Sequence, residues 1–516
     1  MQKYNILWAD DEIQLLKAHI LFLEQKGYAV TPVNSGVEAL DLVDREQFDV
    51  VFLDENMPGM SGLEVLTGIK NQYPNLPVVM ITKSEEEYIM EEAIGAKISD
   101  YLIKPLNPNQ ILLSVKKILD NNRLVTEKVN SKYQQEFQQL SMRYQDHLDY
   151  EEWADVYRKL VQHEIDIDNT EHKSMKDVLI MQKTEANKNF TRFIKDNYVS
   201  WINEEDDYPL LSHHLMSERV LPLIRDGKKV FFILIDNLRF DQWKTIEPLI
   251  SNYFRVKDES LYYSMLPTTT AYARNAIFSG MLPSEIEKKH PNYWKHDDEE
   301  GGKNTFEDEL LKIQLKNAHL NIQYSYHKIF NNEQGQDLVN NLKNLEQQEL
   351  VATVFNFVDM LSHARTDTKV IKELAKDEAA YRSLSKSWFE HSPLFTLIKE
   401  LSKSDFEVVL TTDHGTIQVN RPVKIIGDRN TNTNLRYKQG KNLTYDSKNT
   451  FSISKPESIG LPKRNVSTSF VFATEDSFFA YPNNYNHYVN YYKQTFQHGG
   501  VSMEEVLVPV IHLTKK

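Results

Sequence analysis

Short apolar runs alternate with amphipathic stretches through the first part of the chain. Tyr4–Ala9, Val50–Leu53, Val78–Ile81 and Tyr101–Ile103 read as strands, and the stretches between them carry a helical period. That alternation is the rhythm of a doubly wound parallel sheet. From Gln110 the pattern turns helical throughout, rich in Gln, Glu, Lys and Tyr with almost no glycine or proline. Phe137, Leu140, Tyr144 and Leu148 recur at three- to four-residue spacing, and Asp155–His163 and Val178–Trp201 continue the stripe. A small helical bundle is predicted over residues 121–205. Beyond it, Lys229–Ile235, Val351–Phe357 and Phe406–Leu410 are near-continuous apolar runs, the pattern of central strands buried on both faces. The predicted fold is α/β and multidomain, with segments 1–120, 121–205 and 206–516.

Composition narrows the class. A chain of 516 residues is too long for one core. No apolar run reaches the length of a bilayer span, so no membrane insertion is expected. The N-terminus runs straight into a strand without a signal-peptide layout, and there is no cysteine. Both favour the cytoplasm. The formal charge of −14 argues against a surface that grips duplex DNA. No tri-helical module with a basic recognition helix stands out either.

Polar residues close each strand of the first segment: Asp10-Asp11, Asp54, Thr82 and Lys104-Pro105. Carboxylates crowded at one sheet edge repel unless a hard dication such as Mg²⁺ sits among them. These residues, in this order and spacing, resemble the receiver domain of two-component response regulators, whose fold is flavodoxin-like. The resemblance implies Asp54 as phosphoacceptor, with Mg²⁺ held by Asp10, Asp11, Asp54 and the Asn56 carbonyl. It implies that Lys104 pairs with the phosphoryl group, and that Thr82 and Tyr101 form the switch. Lys83 stands where receivers usually carry a small residue, and a long side chain there is expected to slow self-dephosphorylation.

The third segment places carboxylates at strand ends as well. Asp236-Asn237 follows the first apolar run, and Asp413-His414-Gly415 follows the last. Asp359 and His363 stand four apart, on one face if helical. His498-Gly499-Gly500 precedes the final apolar stretch. Thr268-Thr269-Thr270 opens a helical pattern, Tyr272 to Ser279, closed by Gly280. A hydroxyl at a helix start lies in the positive field of its N-terminus. As a set, these pieces resemble the alkaline phosphatase superfamily, most of all its PglZ-type members with their α/β/α fold.

That resemblance implies two Zn²⁺ ions, with Mn²⁺ an acceptable substitute. One would be held by Asp359, His363 and His498. The other would be held by Asp236, Asp413 and His414 together with the nucleophile's oxygen, and either Asp236 or Asp413 is available to bridge. Superfamily spacing favours Thr270 as nucleophile, while the residues alone leave Thr268 and Thr269 open. A phosphothreonine intermediate would follow from in-line attack. No obvious counterpart of the monoesterase arginine is present. Arg274, one turn from Thr270, is a candidate either to face the phosphate or to serve a structural role, and diesters become the expected substrates.

Residues 421–465 hold ten Lys/Arg against three acids, a net +7, with Tyr437, Tyr445 and Phe451 interleaved. This suits a mobile lid recruiting a nucleotide or oligonucleotide diester, with Arg436 and Lys438 as substrate contacts. The acidic run Asp297–Glu300 reads as a solvated loop. The order of segments resembles PorX-type response regulators, which are tied to type IX secretion. It implies a sensor histidine kinase as phosphodonor, a homodimer on phosphorylation, and contacts with a sigma factor or other transcription factor. The competing expectation is a catalytically silent metal-binding output that acts by protein contact alone.

Overall fold

The structure is a computed structural model. It describes residues 4–83, 98–116, 118–119, 140, 143–144, 147–168, 173–205, 207–297, 299–361, 373–428 and 431–516. The chain divides into two compact units, Met1–Gln135 and Glu136–Lys516.

In the first unit five parallel strands form one sheet. Its order is Ala29–Val33, Asn5–Ala9, Val50–Asp54, Val78–Thr82, Asp100–Ile103. The edge strand Ala29–Val33 was not among the sequence's clearest strands. Its Pro32 lacks a backbone donor, which an edge position tolerates. Apolar clusters cover both faces, one around Leu53, Val65 and Met80, the other around Trp8, Phe52 and Ile111. Gly62 follows the Asp54 strand at close quarters: a β-carbon there would lie 2.5 Å from the Asp54 carbonyl oxygen.

The second unit is built on a six-stranded sheet. Its order is Phe254–Tyr263, Leu507–Lys515, Phe406–Thr411, Lys229–Ile235, Leu350–Phe355, Tyr324–Ile329. The last four strands are parallel; Leu507–Lys515 runs against its two neighbours. Lys229–Ile235 lies at the centre, buried from Val230 onward, as its unbroken apolar run requires. The helices Tyr150–Asp168 and Lys173–Ile202 fold within this same unit. Buried ion pairs join them to it. Lys183 lies 2.8 Å from Glu164 and 3.3 Å from Glu504, and Arg382 joins Glu164 to Asp241, each at 2.8 Å.

The basic stretch is a folded β insertion. It contains the strands Arg421–Ile426, Tyr437–Gly440, Thr444–Tyr445 and Thr450–Ile453, paired among themselves and with Ser469–Ala473 and Ser477–Ala480. Tyr437 and Phe451 are buried in its packing, so they do not stand ready to stack on bases. Asp297, expected to be solvated, instead accepts hydrogen bonds from Tyr437 at 2.7 Å and Asn432 at 3.0 Å. It pins the insertion to its neighbouring loop.

Candidate phosphoacceptor and metal centres

The first centre lies at the carboxyl edge of the five-stranded sheet. Asp10 and Asp54 are buried, Asp11 is exposed, and one oxygen from each lies within 4.8 Å of the others. Asn56 is exposed on the loop two residues beyond Asp54. Lys104 Nζ bridges Asp10 at 2.8 Å and Asp54 at 2.9 Å, its side chain 12% exposed. Burial pushes the Asp54 carboxyl up; the Lys104 hydrogen bond opposes this, and Asp10 adds to the rise. The side chains of Thr82 and Tyr101 are hydrogen-bonded to each other, coupling the two expected switch residues. On the rim, Lys83 Nζ meets Glu12 Oε2 at 3.0 Å. Three carboxylates around one point suit a hard dication.

The second centre lies at the carboxyl ends of the parallel strands in the large sheet. Asp236 ends the central strand, Asp413 follows its neighbour Phe406–Thr411, and Asp359 sits on the helical turn after Leu350–Phe355. The short pairing of Ile417–Gln418 with Phe496–Gln497 brings His498 beside His414, and their rings stack with centroids 4.3 Å apart. Both imidazoles are set the same way. His414 Nδ1 lies 3.1 Å from the Gly415 carbonyl and His498 Nδ1 3.3 Å from that of Thr268. A carbonyl can only accept, so each Nδ1 carries the proton and each Nε2 presents a lone pair. His414 Nε2 then points at Thr270 Oγ1, 3.1 Å away, and His498 Nε2 at Asp359, 3.6 Å away.

One ligand atom each from Asp236, Asp413 and His414 lies within 4.8 Å of the others. His363 lies outside the described residues, so its expected pairing with Asp359 has no geometry here. The three threonines have different surroundings. Thr268 Oγ1 donates to the Gly500 carbonyl and accepts from Gly499 N, both at 3.0 Å, tying down the His498 loop. Thr269 is the N-cap residue of helix Thr270–Ser279 and is buried against Tyr437. Thr270 Oγ1 alone stands between Asp236 Oδ1, at 3.3 Å, and His414 Nε2.

Arg274 is turned toward carboxylates. It is fully buried one turn along the helix, and its guanidinium binds Asp413 Oδ2 at 2.9 Å and also Asp236 Oδ2. Burial raises the Asp236 carboxyl well above the usual range, Arg274 pulls against that, and Asp413 and Asp359 add to the rise. For Asp413, burial also pushes upward, but Arg274 and then His414 outweigh it and hold the group near about 2.

Arg436 and Lys438, expected as substrate contacts, are likewise buried. Arg436 pairs with Glu505, its Nε 3.0 Å from Oε1, and Glu505 accepts from Gly500 N at 2.9 Å. That pair supports the His498 loop from behind. Lys438 donates to the Asn432 carbonyl at 2.9 Å beside the Tyr481 ring, and burial drives it down to about 7. Both positions are inward-facing on the strand Tyr437–Gly440 or its approach, which a count of charges does not reveal.

Asn237 is the residue that sequence reasoning passed over. Its φ of 64° turns the chain so that its backbone N reaches Asp413 Oδ1 at 3.3 Å, while its side chain donates to Asp359 Oδ1 at 3.3 Å. It thereby links carboxylates of the two expected half-sites. Asparagine after a strand-end aspartate was the available signal, since it tolerates the left-handed region better than most residues. Gly415 is required by a close approach: a β-carbon there would lie 1.9 Å from the Glu504 carbonyl oxygen.

Fold and site together define a response regulator whose output unit is phosphatase-like. Family models agree. A response regulator receiver domain matches residues 6–116, a PorX response regulator linker domain matches 123–202, and a BREX system PglZ alkaline phosphatase-like domain matches 215–513. The last spans more than half of the chain, and the chain belongs to that PglZ alkaline phosphatase-like family, in the PorX-type arrangement.

Curated relatives match at the receiver. The alginate biosynthesis transcriptional regulatory protein AlgB of Pseudomonas syringae is 37% identical over 120 residues, 23% of this chain and 27% of that protein. YkoG of Bacillus subtilis, an uncharacterized transcriptional regulatory protein, is 32% identical over 133 residues, 25% of this chain and 58% of its own. The chain thus spans about a quarter to just over half of these relatives. Among solved structures, a CheY-like receiver from Methanospirillum hungatei is 28% identical with a TM-score of 0.23, covering 23% of this chain and 96% of that one. The chemotaxis protein CheY4 of Vibrio cholerae is 28% identical with a TM-score of 0.22, covering 23% and 99%.

Alkaline phosphatase-like and receiver domains generally bind divalent metals, and receivers typically pair with histidine kinases and dimerise. No helix among the described residues is long and apolar enough to cross a membrane.

Proposed function

We propose that this chain is a phosphorylation-controlled phosphodiesterase acting on nucleotide or oligonucleotide diesters, with Thr270 as nucleophile. The observation that carries the reading is the placement of Thr270 Oγ1 between Asp236 Oδ1 and the lone pair of His414 Nε2. Asp236, Asp413 and His414 are a donor set that fits a zinc-class ion; with Thr270 they would hold one ion, and a second would be held by Asp359 and His498 together with His363. Such ions supply Lewis-acid charge to the phosphoryl oxygens and lower the pKa of the threonine hydroxyl when bound.

The chain's own groups do the rest. Thr270 sits in the first turn of its helix, where the positive field favours both its alkoxide and an incoming phosphate. Its oxygen attacks phosphorus in line, the leaving alkoxide departs, and water then cleaves the phosphothreonine. Arg274 is committed to two carboxylates and cannot also clamp a terminal phosphate, which leaves the diester, with one charge fewer, as the better fit.

Control would come from Mg²⁺-dependent phosphorylation of Asp54 by a sensor histidine kinase. Lys104 would move from Asp54 to the phosphoryl group, and Thr82 and Tyr101 would follow. Homodimerisation and contacts with the type IX secretion or transcription machinery are the expected readouts. The test is hydrolysis of bis-p-nitrophenyl phosphate against the monoester by zinc-loaded protein. The diester should react faster, and Thr270→Ala should lose at least ~10³-fold. An unchanged Thr270→Ala rate would overturn the assignment.

A further inference from the structure

A third cluster of metal-competent side chains shares no residue with either centre and lies where helix Lys173–Ile202 hands over to the large sheet. Just past the helix, Glu204 adopts a left-handed φ of 53° and its backbone N donates to the Trp201 carbonyl at 3.1 Å. The chain turns back and forms the single helical turn Ser212–His214. His214 Nε2 lies 3.1 Å from Glu204 Oε1, and the His213 and His214 rings are 3.8 Å apart between centroids. One ligand atom from each of Glu204, His213 and His214 lies within 4.8 Å of the other two.

His213 is the informative member. It is only 6% exposed, and its Nδ1 has no hydrogen-bond partner among the described residues. A buried polar atom left unpaired costs free energy, and native proteins rarely leave one without a reason. A cleft of about 500 Å³ lined by Tyr208, Leu210, His214 and Glu218 adjoins the cluster and offers an entry path and room for water.

We propose that Glu204, His213 and His214 form a separate site for a zinc-class divalent ion, distinct from the paired centre around Asp236 and Asp359. Two imidazoles and one carboxylate are a donor set suited to Zn²⁺ and its late first-row neighbours rather than to Mg²⁺ or Ca²⁺. All three ligands come from one short segment, so the site closes locally. Its location gives it a structural task. Ser212 Oγ accepts from Met265 N at 3.0 Å, and Tyr198 Oη from Leu266 N at 2.7 Å, so this junction grips the segment that leads to Thr268–Thr270. An ion there fixes the turn that braces the nucleophile's loop.

The site is tested by zinc titration of metal-stripped full-length protein, with bound metal counted by mass spectrometry. Glu204→Gln, at an exposed position, and His213→Gln should each lose one zinc equivalent relative to wild type or weaken one class of sites by ~10-fold or more. Zinc should also raise the melting temperature of wild type more than that of Glu204→Gln, while the two melt alike in chelator. Wild-type stoichiometry and affinity in Glu204→Gln would overturn the proposal, even if His213→Gln failed to fold.

Discussion

The two strand-end carboxylate centres solve one electrostatic problem in opposite ways. In the receiver, Lys104 spans Asp10 and Asp54 from a flexible stem that still touches solvent. In the phosphatase-like unit, Arg274 spans Asp236 and Asp413 from a fully buried helix turn. A lysine ammonium is a compact charge on four rotatable carbons, able to leave one partner for another. An arginine fork fixes planar, two-point contacts and stays put. On the function proposed above, the receiver would exchange partners when phosphate arrives, whereas the phosphatase-like unit would keep its carboxylates in place. The cation chosen at each centre matches that difference between a switch and a scaffold.

The largest effect should come from removing the fixed cation. Arg274→Ala leaves Asp236 and Asp413 buried without it, and loss of one partner from a buried pair costs roughly 3–5 kcal/mol. Urea unfolding of metal-free protein should show that loss, and zinc should restore more stability to the variant than to wild type. Arg274→Lys should rescue only part, because one ammonium cannot reproduce the fork. Lys104→Ala should cost less, about 1 kcal/mol or under, since its site is partly solvated, and it should abolish the dimerisation proposed to follow phosphorylation. Equal losses at the two positions would break the contrast.

How much of this was legible beforehand follows from what sequence can encode. The carboxylates were readable because parallel strands buried on both faces read as apolar runs, and ligands gather where such strands end. Asp54, Asp236 and Asp413 all follow that rule. The environment of Arg274 was not readable, because whether a helical arginine turns toward phosphate or toward carboxylates is decided by strands distant in sequence. The same holds for Arg436, whose partner Glu505 lies 69 residues on. The +7 insertion misled for a related reason: charge counts ignore which face a strand buries, and Arg436 and Lys438 face inward. The helices after residue 150 gave a clear period, but not their buried pairs Lys183–Glu504 and Arg382–Asp241.

Lys438 sharpens the comparison as a buried cation with no carboxylate in ion-pair range among the described residues. Lys104 is raised by its two partners against the pull of burial, whereas Lys438 is lowered from 10.5 to about 7 by burial alone. The unfolded chain therefore holds a proton that the folded one has released between about pH 7 and 10.5. Across that window stability rises with pH, and below it the penalty is fully present. Lys438→Met should flatten the rise and add roughly 1–3 kcal/mol near pH 7, after allowing for the lost Asn432 hydrogen bond. Melting temperature against pH reads both quantities.

The smallest effect belongs to the receiver's rim. Lys83 follows the switch Thr82, and Glu12 follows Asp11 on the facing loop, so their contact crosses the edge of the acidic centre. Glu12 N also donates to Asp10 Oδ1 at 2.9 Å, which ties the rim pair to the innermost carboxylate. Both side chains are exposed, so the pair adds little to stability. Its expected consequence is kinetic, because two long side chains meeting there would narrow the approach of water to a phosphorylated Asp54. Lys83→Ala should shorten the phosphorylated lifetime a few-fold, with Glu12→Ala giving a smaller change in the same direction, both followed by loss of phosphate from labelled protein. The pair loosens as pH falls through the lowered pKa of Glu12, so the wild-type advantage over Lys83→Ala should shrink in acid. An advantage independent of pH would mean that Lys83 blocks water by bulk alone, without its partner.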